Sequence, residues 1–164
     1  MSVIQGRVWV FGDDLNADQI MPVHFSKAEE EKYACLSAVR PEFSRQVQPG
    51  DVIVAGRQCG IGSSRPSPRI LKALKVGTVI ADSFSGIFFR NAIAIGFPLV
   101  ELPDARALLN EGDVVEVDYE KGHVTNKTTG ESAQFHAYSQ LLQDIVAVGG
   151  IINTLKTELP KENS

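Results

Sequence analysis

Apolar and polar positions change rhythm several times along the 164-residue chain, and each change predicts an element. Arg7–Phe11 reads as a first strand, followed by a polar turn at Gly12–Asn16 and a short extended piece at Asp18–Pro22. Charged residues dominate Ser26–Leu36, which predicts a solvated helix with Ser26 as its cap. Asp51–Gly56 is an unbroken apolar run of strand length, and Pro66–Lys75 places Ile70, Leu71 and Leu74 at helical spacing. Thr78–Ala81 is a second apolar strand, so the helix between them is a crossover and the two strands are expected to be parallel. Phe84, Ile87, Phe88 and Ile95 predict a helix over 84–95 with one face inward, and Asn91 lies on that stripe. A buried-face amide must find a partner, either nearby backbone or something in a site.

Phe97–Glu101 follows as a strand, then Pro103–Asn110 as a short helix with proline at its start. Beyond it the period drops to two. Val115, Val117 and Tyr119 alternate with Glu116 and Asp118, and a turn at Glu120–Gly122 predicts a hairpin with His123–Lys127, closed by Thr129–Gly130. Leu141–Val148 is an amphipathic helix stopped by Gly149–Gly150, and Lys156–Ser164 is polar enough to fray. No repeat or linker interrupts this order. One α/β domain with a mixed sheet is expected over 1–164, its core running from about Gly6 to Gly150.

Composition narrows the partners more than the fold. A net charge of −4 argues against nucleic acid or an anionic membrane as the main partner. No apolar run approaches a bilayer span and no basic-then-apolar leader opens the chain, so a cytoplasmic protein is expected. Cys35 and Cys59 are the only cysteines, whereas a cubane iron–sulfur cluster needs three or four thiolates. His24, His123 and His136 share no ligand spacing with them, so zinc is poorly supported as well. The expectation is two buried thiols and no cofactor bound by this chain.

Chemistry concentrates at Gly60-Ile-Gly62-Ser63-Ser64-Arg65, between an apolar strand and a helix. Glycine lets backbone come close to a ligand, and unpaired N–H groups at a helix start favour negative charge. Gly60 and Gly62 would let backbone approach such a ligand, Arg65 presents a planar fork matched to carboxylate or phosphate, and Ser63 and Ser64 offer a proton donor or, ionised, a base. The same residues would also make a tight turn with a serine cap. A P-loop is excluded by the missing lysine and the spacing.

Taken in order, these pieces resemble the small subunit of the isopropylmalate dehydratase type, the swivel domain of the aconitase superfamily. The resemblance rests on Phe11-Gly-Asp-Asp-Leu-Asn-Ala-Asp18 with Ile20 and Pro22, on Gly50–Gly56, on Gly60–Arg65, and on Val79–Phe84 with Ile87–Ile93. Gly112–Asp118 and Gly149–Gly150 follow in the expected places. It implies a three-layer β/β/α swivelling domain that closes over a separate large subunit carrying a [4Fe-4S] cluster. The implied reaction is reversible dehydration and hydration of a small hydroxy di- or tricarboxylate. By resemblance, Ser63 is the base, and Ser64 and Arg65 hold substrate carboxylate. His24 and Lys27 lie in the segment associated with substrate choice in that family, where either could meet a second carboxylate.

The chain also departs from the pattern. Pro66-Ser67-Pro68 stands where the family usually has Glu-His-Ala, Ala17-Asp18 where it has Thr-Asp, and Gln58-Cys-Gly-Ile-Gly62 where it has Asn-Phe-Gly-Cys-Gly. Two functions from different classes stay open at this point. One is a hydro-lyase subunit; the other is a noncatalytic carboxylate-binding or regulatory module that keeps the anion loop without turnover.

Overall fold

Seven strands lie in the order β4-β3-β2-β1-β5-β6-β7 in a computed structural model that describes residues 3–22, 28–62 and 65–159. Strand β1 (Val3–Val10) belongs to both halves. Its first part, Val3–Arg7, pairs antiparallel with β5 (Val114–Asp118), while Val8–Val10 pairs parallel with β2 (Val52–Ala55). From β2 the parallel side continues through β3 (Thr78–Ala81) to β4 (Leu99–Glu101). From β5 the antiparallel side continues through β6 (His123–Asn126) to β7 (Ser132–Gln134).

Side-chain alternation turns these two halves into layers. On the parallel strands Trp9, Ile53, Ala55, Val79, Ala81 and Leu99 face the helices, together with Ile20, Phe43, Ile70, Leu71 and Phe88. Their neighbours Val8, Val52, Val54, Ile80 and Val100 face the other way, onto Val115, Val117 and Val124 of the antiparallel strands. Helices, parallel sheet and antiparallel sheet are therefore stacked as β/β/α, the swivel-domain arrangement. Each fully buried aliphatic side chain contributes about 1.5–3 kcal/mol, and the middle layer is buried on both faces. This is why every residue of β2 and of β3 is buried.

The predicted helices are present, the first four shorter and the last shifted by one residue. They are α2 (Ala28–Ala34), α4 (Pro68–Ala73), α5 (Gly86–Ala94), α6 (Ala105–Leu108) and α7 (Gln140–Ala147). The cap expected at Ser26 lies outside the described residues. Several expectations need correction. The extended piece at Asp18–Pro22 is largely a helix, α1 (Ala17–Ile20), because Asn16 and Gln19 close a reciprocal capping box. Ile87 does not face inward; it is 41% exposed. A short α3 (Phe43–Gln46) precedes β2, and the hairpin gains a third strand, β7. Of the tail expected to fray over 156–164, the part up to Glu158 belongs to α8 (Ile151–Glu158), which follows Gly150 with no side-chain cap, and 160–164 lie outside the described residues. Among the described residues no helix is long and apolar enough to cross a membrane.

Candidate active site

Three connections leave the carboxyl ends of β1, β2 and β3 on one edge of the parallel sheet, where open α/β sheets place their ligand crevices. The middle connection, after β2, is laced to both neighbours by backbone bonds. Toward the first, Gly56 N donates to Gly12 O at 3.1 Å, Gly60 N to Leu15 O at 2.7 Å, and Ala17 N donates to Ile61 O at 2.9 Å. Toward the third, Cys59 N donates to Ser83 O at 3.0 Å and Ser85 N to Cys59 O at 3.0 Å. Isolated parallel bridges Asn16 to Ile61 and Cys59 to Phe84 extend the sheet in this way past the strand ends. These bonds tie Gly56 and residues 59–61 to both neighbouring connections.

Glycine is required at two points of this lacing. Gly60 has φ +81°, and a Cβ there would stand 2.1 Å from Phe88 Cγ. Gly56 leaves room for Asp13, whose Oδ1 would be 1.9 Å from such a Cβ. Asp13 accepts from Arg57 N at 2.8 Å, Arg57 Nη2 at 3.1 Å and Arg106 Nη2 at 2.8 Å. The backbone bond from Arg57, then its guanidinium, holds the Asp13 carboxyl below its ordinary value.

Of the residues expected to form the site, Gly62 and Arg65 are described; Ser63, Ser64, His24 and Lys27 lie outside the described residues. Gly62 sits at φ +115° on the exposed surface of the loop. Arg65 is half-buried, with 29% of its side chain exposed. Its Nη1 donates to the Met21 carbonyl at the end of α1 at 3.4 Å and lies 3.8 Å from Asp18 Oδ1. Both contacts are long for a guanidinium, which bonds a well-placed carboxylate at about 2.7–2.9 Å. A fork already turned toward an acceptor carbonyl and a carboxylate, with weak contacts to each, can bind an incoming carboxylate.

Two contributors had no role assigned from the sequence. Asp18 was legible as part of an Asp-rich run, but only α1 brings it to Arg65. Ser85 caps α5 and gives its hydroxyl to Gly60 O at 3.0 Å. Asn91, ambiguous on its helical stripe, donates to Arg65 O at 3.4 Å.

The two thiols are no ligand set. Cys35 and Cys59 are fully buried, and burial alone pushes the Cys59 thiol up to about 12 and that of Cys35 higher still. Among the described residues no group of three or more His, Cys, Asp or Glu is arranged to hold a metal. This chain's described side chains therefore do not fit an iron–sulfur cluster. A groove of about 800 Å³ lies on the far side of α5, lined by Phe89, Glu101, His136, Tyr138 and Leu142 among others. It contains neither Arg65 nor Gly62. Among the described residues, the loop after β2 brings the Arg65 cation and the exposed Gly62 to the strand ends, which makes it the candidate site.

Residues 13–105, which span helices α1 to α5 and strands β2 to β4, match the model of the Aconitase C-terminal domain. The chain belongs to that family. Within the aconitase C-terminal domain family it is similar to the isopropylmalate/citramalate isomerase small subunit of Methanocaldococcus jannaschii, 40% identical over 96% of this chain and 96% of the relative. It is 42% identical to the 2,3-dimethylmalate dehydratase small subunit of Eubacterium barkeri, over 91% and 94%. The fold superimposes on a crystal structure of 3-isopropylmalate dehydratase from Methanocaldococcus jannaschii with a TM-score of 0.87 at 33% identity, covering 94% of each chain. The chain is thus a small subunit of the dehydratase type.

Proposed function

We propose that this chain is the small subunit of a heteromeric [4Fe-4S] hydro-lyase that reversibly dehydrates a small hydroxy di- or tricarboxylate: isopropylmalate, or a relative such as citramalate or dimethylmalate. The observation that supports the reading is Arg65, a half-buried guanidinium at the carboxyl edge of the parallel strands whose contacts among the described residues are long, 3.4 Å to Met21 O and 3.8 Å to Asp18 Oδ1. In an elimination of this kind a proton leaves carbon while charge grows toward the neighbouring carboxylate. Arg65 neutralises that charge where it develops, and Gly62 lets backbone approach the same group. Ser63 removes the proton and Ser64 holds carboxylate beside it. A serine hydroxyl is a weak base in water, so the nearby guanidinium must favour its ionised form. His24 and Lys27 meet the second carboxylate.

Departure of the hydroxyl needs a Lewis acid, and the two buried thiols offer none. That half of the reaction is assigned to the large subunit and its [4Fe-4S] cluster. Relatives at about 40% identity that carry small-subunit names support the two-chain reading.

The test is steady-state turnover of the assembled complex, followed by absorbance of the unsaturated acid formed from several hydroxy acids. Ser63→Ala and Arg65→Lys should each lower kcat by about 100-fold or more with the complex intact, the latter because lysine keeps charge but not the fork. A wild-type complex that assembles with its cluster intact and dehydrates none of these acids refutes the proposal.

A further inference from the structure

Helix α5 touches the loop at both of its ends. Ser85 donates its hydroxyl to Gly60 O at 3.0 Å while accepting from Phe88 N at 3.3 Å. One turn later the Phe88 ring fills the space where a Cβ on Gly60 would be. At the next position of that stripe, Asn91 Nδ2 donates to Arg65 O at 3.4 Å. Positions 85, 88 and 91 are three apart and share one face of the helix, so a single rigid element spans the loop from Gly60 to Arg65.

The Arg65 carbonyl is an unusual place to anchor. The peptide it belongs to runs into Pro66, which has no N–H, and Pro68 removes another donor two residues on. The carbonyl already accepts from Ser67 N at 2.7 Å, inside the turn, and Asn91 supplies its second donor from another element. Asparagine is also a poor helix former, because its amide competes with backbone. Here that amide reaches out of the helix.

We propose that Asn91 is a positioning residue: by fixing the Arg65 carbonyl it sets the direction in which the guanidinium leaves the loop. This rests on the function proposed above for Arg65. The bond is long as it stands, as such contacts often are before substrate is bound, and substrate capture by Arg65 would tighten it.

The experiment uses the assembled complex and three substitutions. Asn91→Ala removes the amide, Asn91→Asp fills the same space without a donor, and Asn91→Gln keeps the donor. Ala and Asp should each lower kcat about 10- to 100-fold, the scale of a misplacement near 1 Å, and Gln should restore part of the loss. In an Arg65→Lys background, Asn91→Ala should add less than about threefold, since both act through one group. Ser139→Ala, which removes the cap of α7, serves as a control and should leave kcat unchanged.

Amide hydrogen exchange gives a readout independent of turnover. In Asn91→Ala, exchange at Gly60, Ile61 and Arg65 should rise about tenfold while β5 and β6 stay protected. Kinetics and exchange both unchanged in Asn91→Ala and Asn91→Asp would overturn the proposal. If the wild-type complex dehydrates nothing, the hydro-lyase reading falls, and the exchange result alone decides whether Asn91 holds the loop.

Discussion

The parallel and antiparallel halves of the sheet are built from similar β-branched residues yet do different jobs. In β2 and β3 every side chain is buried, whereas β5 and β6 alternate buried with exposed or half-exposed positions. Parallel strands need crossovers, so their connections are long and gather at one edge; residues 56–67 form the one after β2. Antiparallel strands close with short turns, at 119–122 and 127–131. Reach is therefore available only on the parallel side, and Arg65, Asp18 and Asn91 all stand on its connections and helices. The antiparallel half supplies the opposite wall of the core.

A pair of glycines tests that division most severely. Gly60 and Gly130 both have left-handed backbone, φ +81° and +84°, but a Cβ on Gly60 would meet Phe88 whereas one on Gly130 meets nothing within 4 Å. Gly60→Ala should cost about 3 kcal/mol or more and abolish turnover; Gly130→Ala should cost about 1 kcal/mol and leave turnover alone. Urea unfolding and steady-state kinetics check both. Equal effects would erase the distinction between the halves.

Asn126 offers a smaller effect confined to the antiparallel side. It is fully buried; its amide donates to Leu108 O at 2.9 Å and Asp113 Oδ2 at 2.7 Å, and its oxygen accepts from Thr128 N at 2.9 Å. Asn126→Ala strands those groups and should cost about 2–3 kcal/mol, with kcat of the surviving folded complex unchanged.

Tyr138 joins the halves and gives the smallest effect. Its hydroxyl donates to Leu99 O and accepts from Leu99 N at 2.7 Å on edge strand β4, while its ring lies 6.3 Å from that of Tyr119 beyond β5. Burial pushes its phenol up from 10.0 to about 12. The folded protein therefore holds this proton more tightly than the unfolded chain, so the stabilisation is complete below pH 10 and is lost as pH rises through about 12. Tyr138→Phe should cost about 1 kcal/mol near neutrality, and the gap to wild type should close over that alkaline window in urea titrations.

Sequence pattern revealed the parallel half well, because unbroken apolar runs and a crossover helix are strong signals; β3 stands residue for residue where it put it, and β2, α4 and α5 stand there trimmed at their ends. The elements it missed are short or face water. Helices α1 and α3 have four residues each, and β7 has three, below the length at which a period can be recognised. The Asn16 and Gln19 pair was nevertheless a legible start signal for α1. Helix α8 follows a glycine, lacks a side-chain cap and buries none of its residues, so its apolar positions gave no inward stripe. At the proposed site, Arg65 and Gly62 were singled out by residue type and spacing alone. Asp18, Ser85 and Asn91 did not, since their link to Arg65 and Gly60 exists only once α1 and α5 pack around the loop.

Strand β1 is one continuous piece of backbone, bonded to β5 along its first stretch and to β2 along its last. Two layers stitched by the same strand cannot slide or fold apart without tearing that strand from one of them. The two layers therefore travel as one body, and a force applied to either is carried into the other through a single run of backbone.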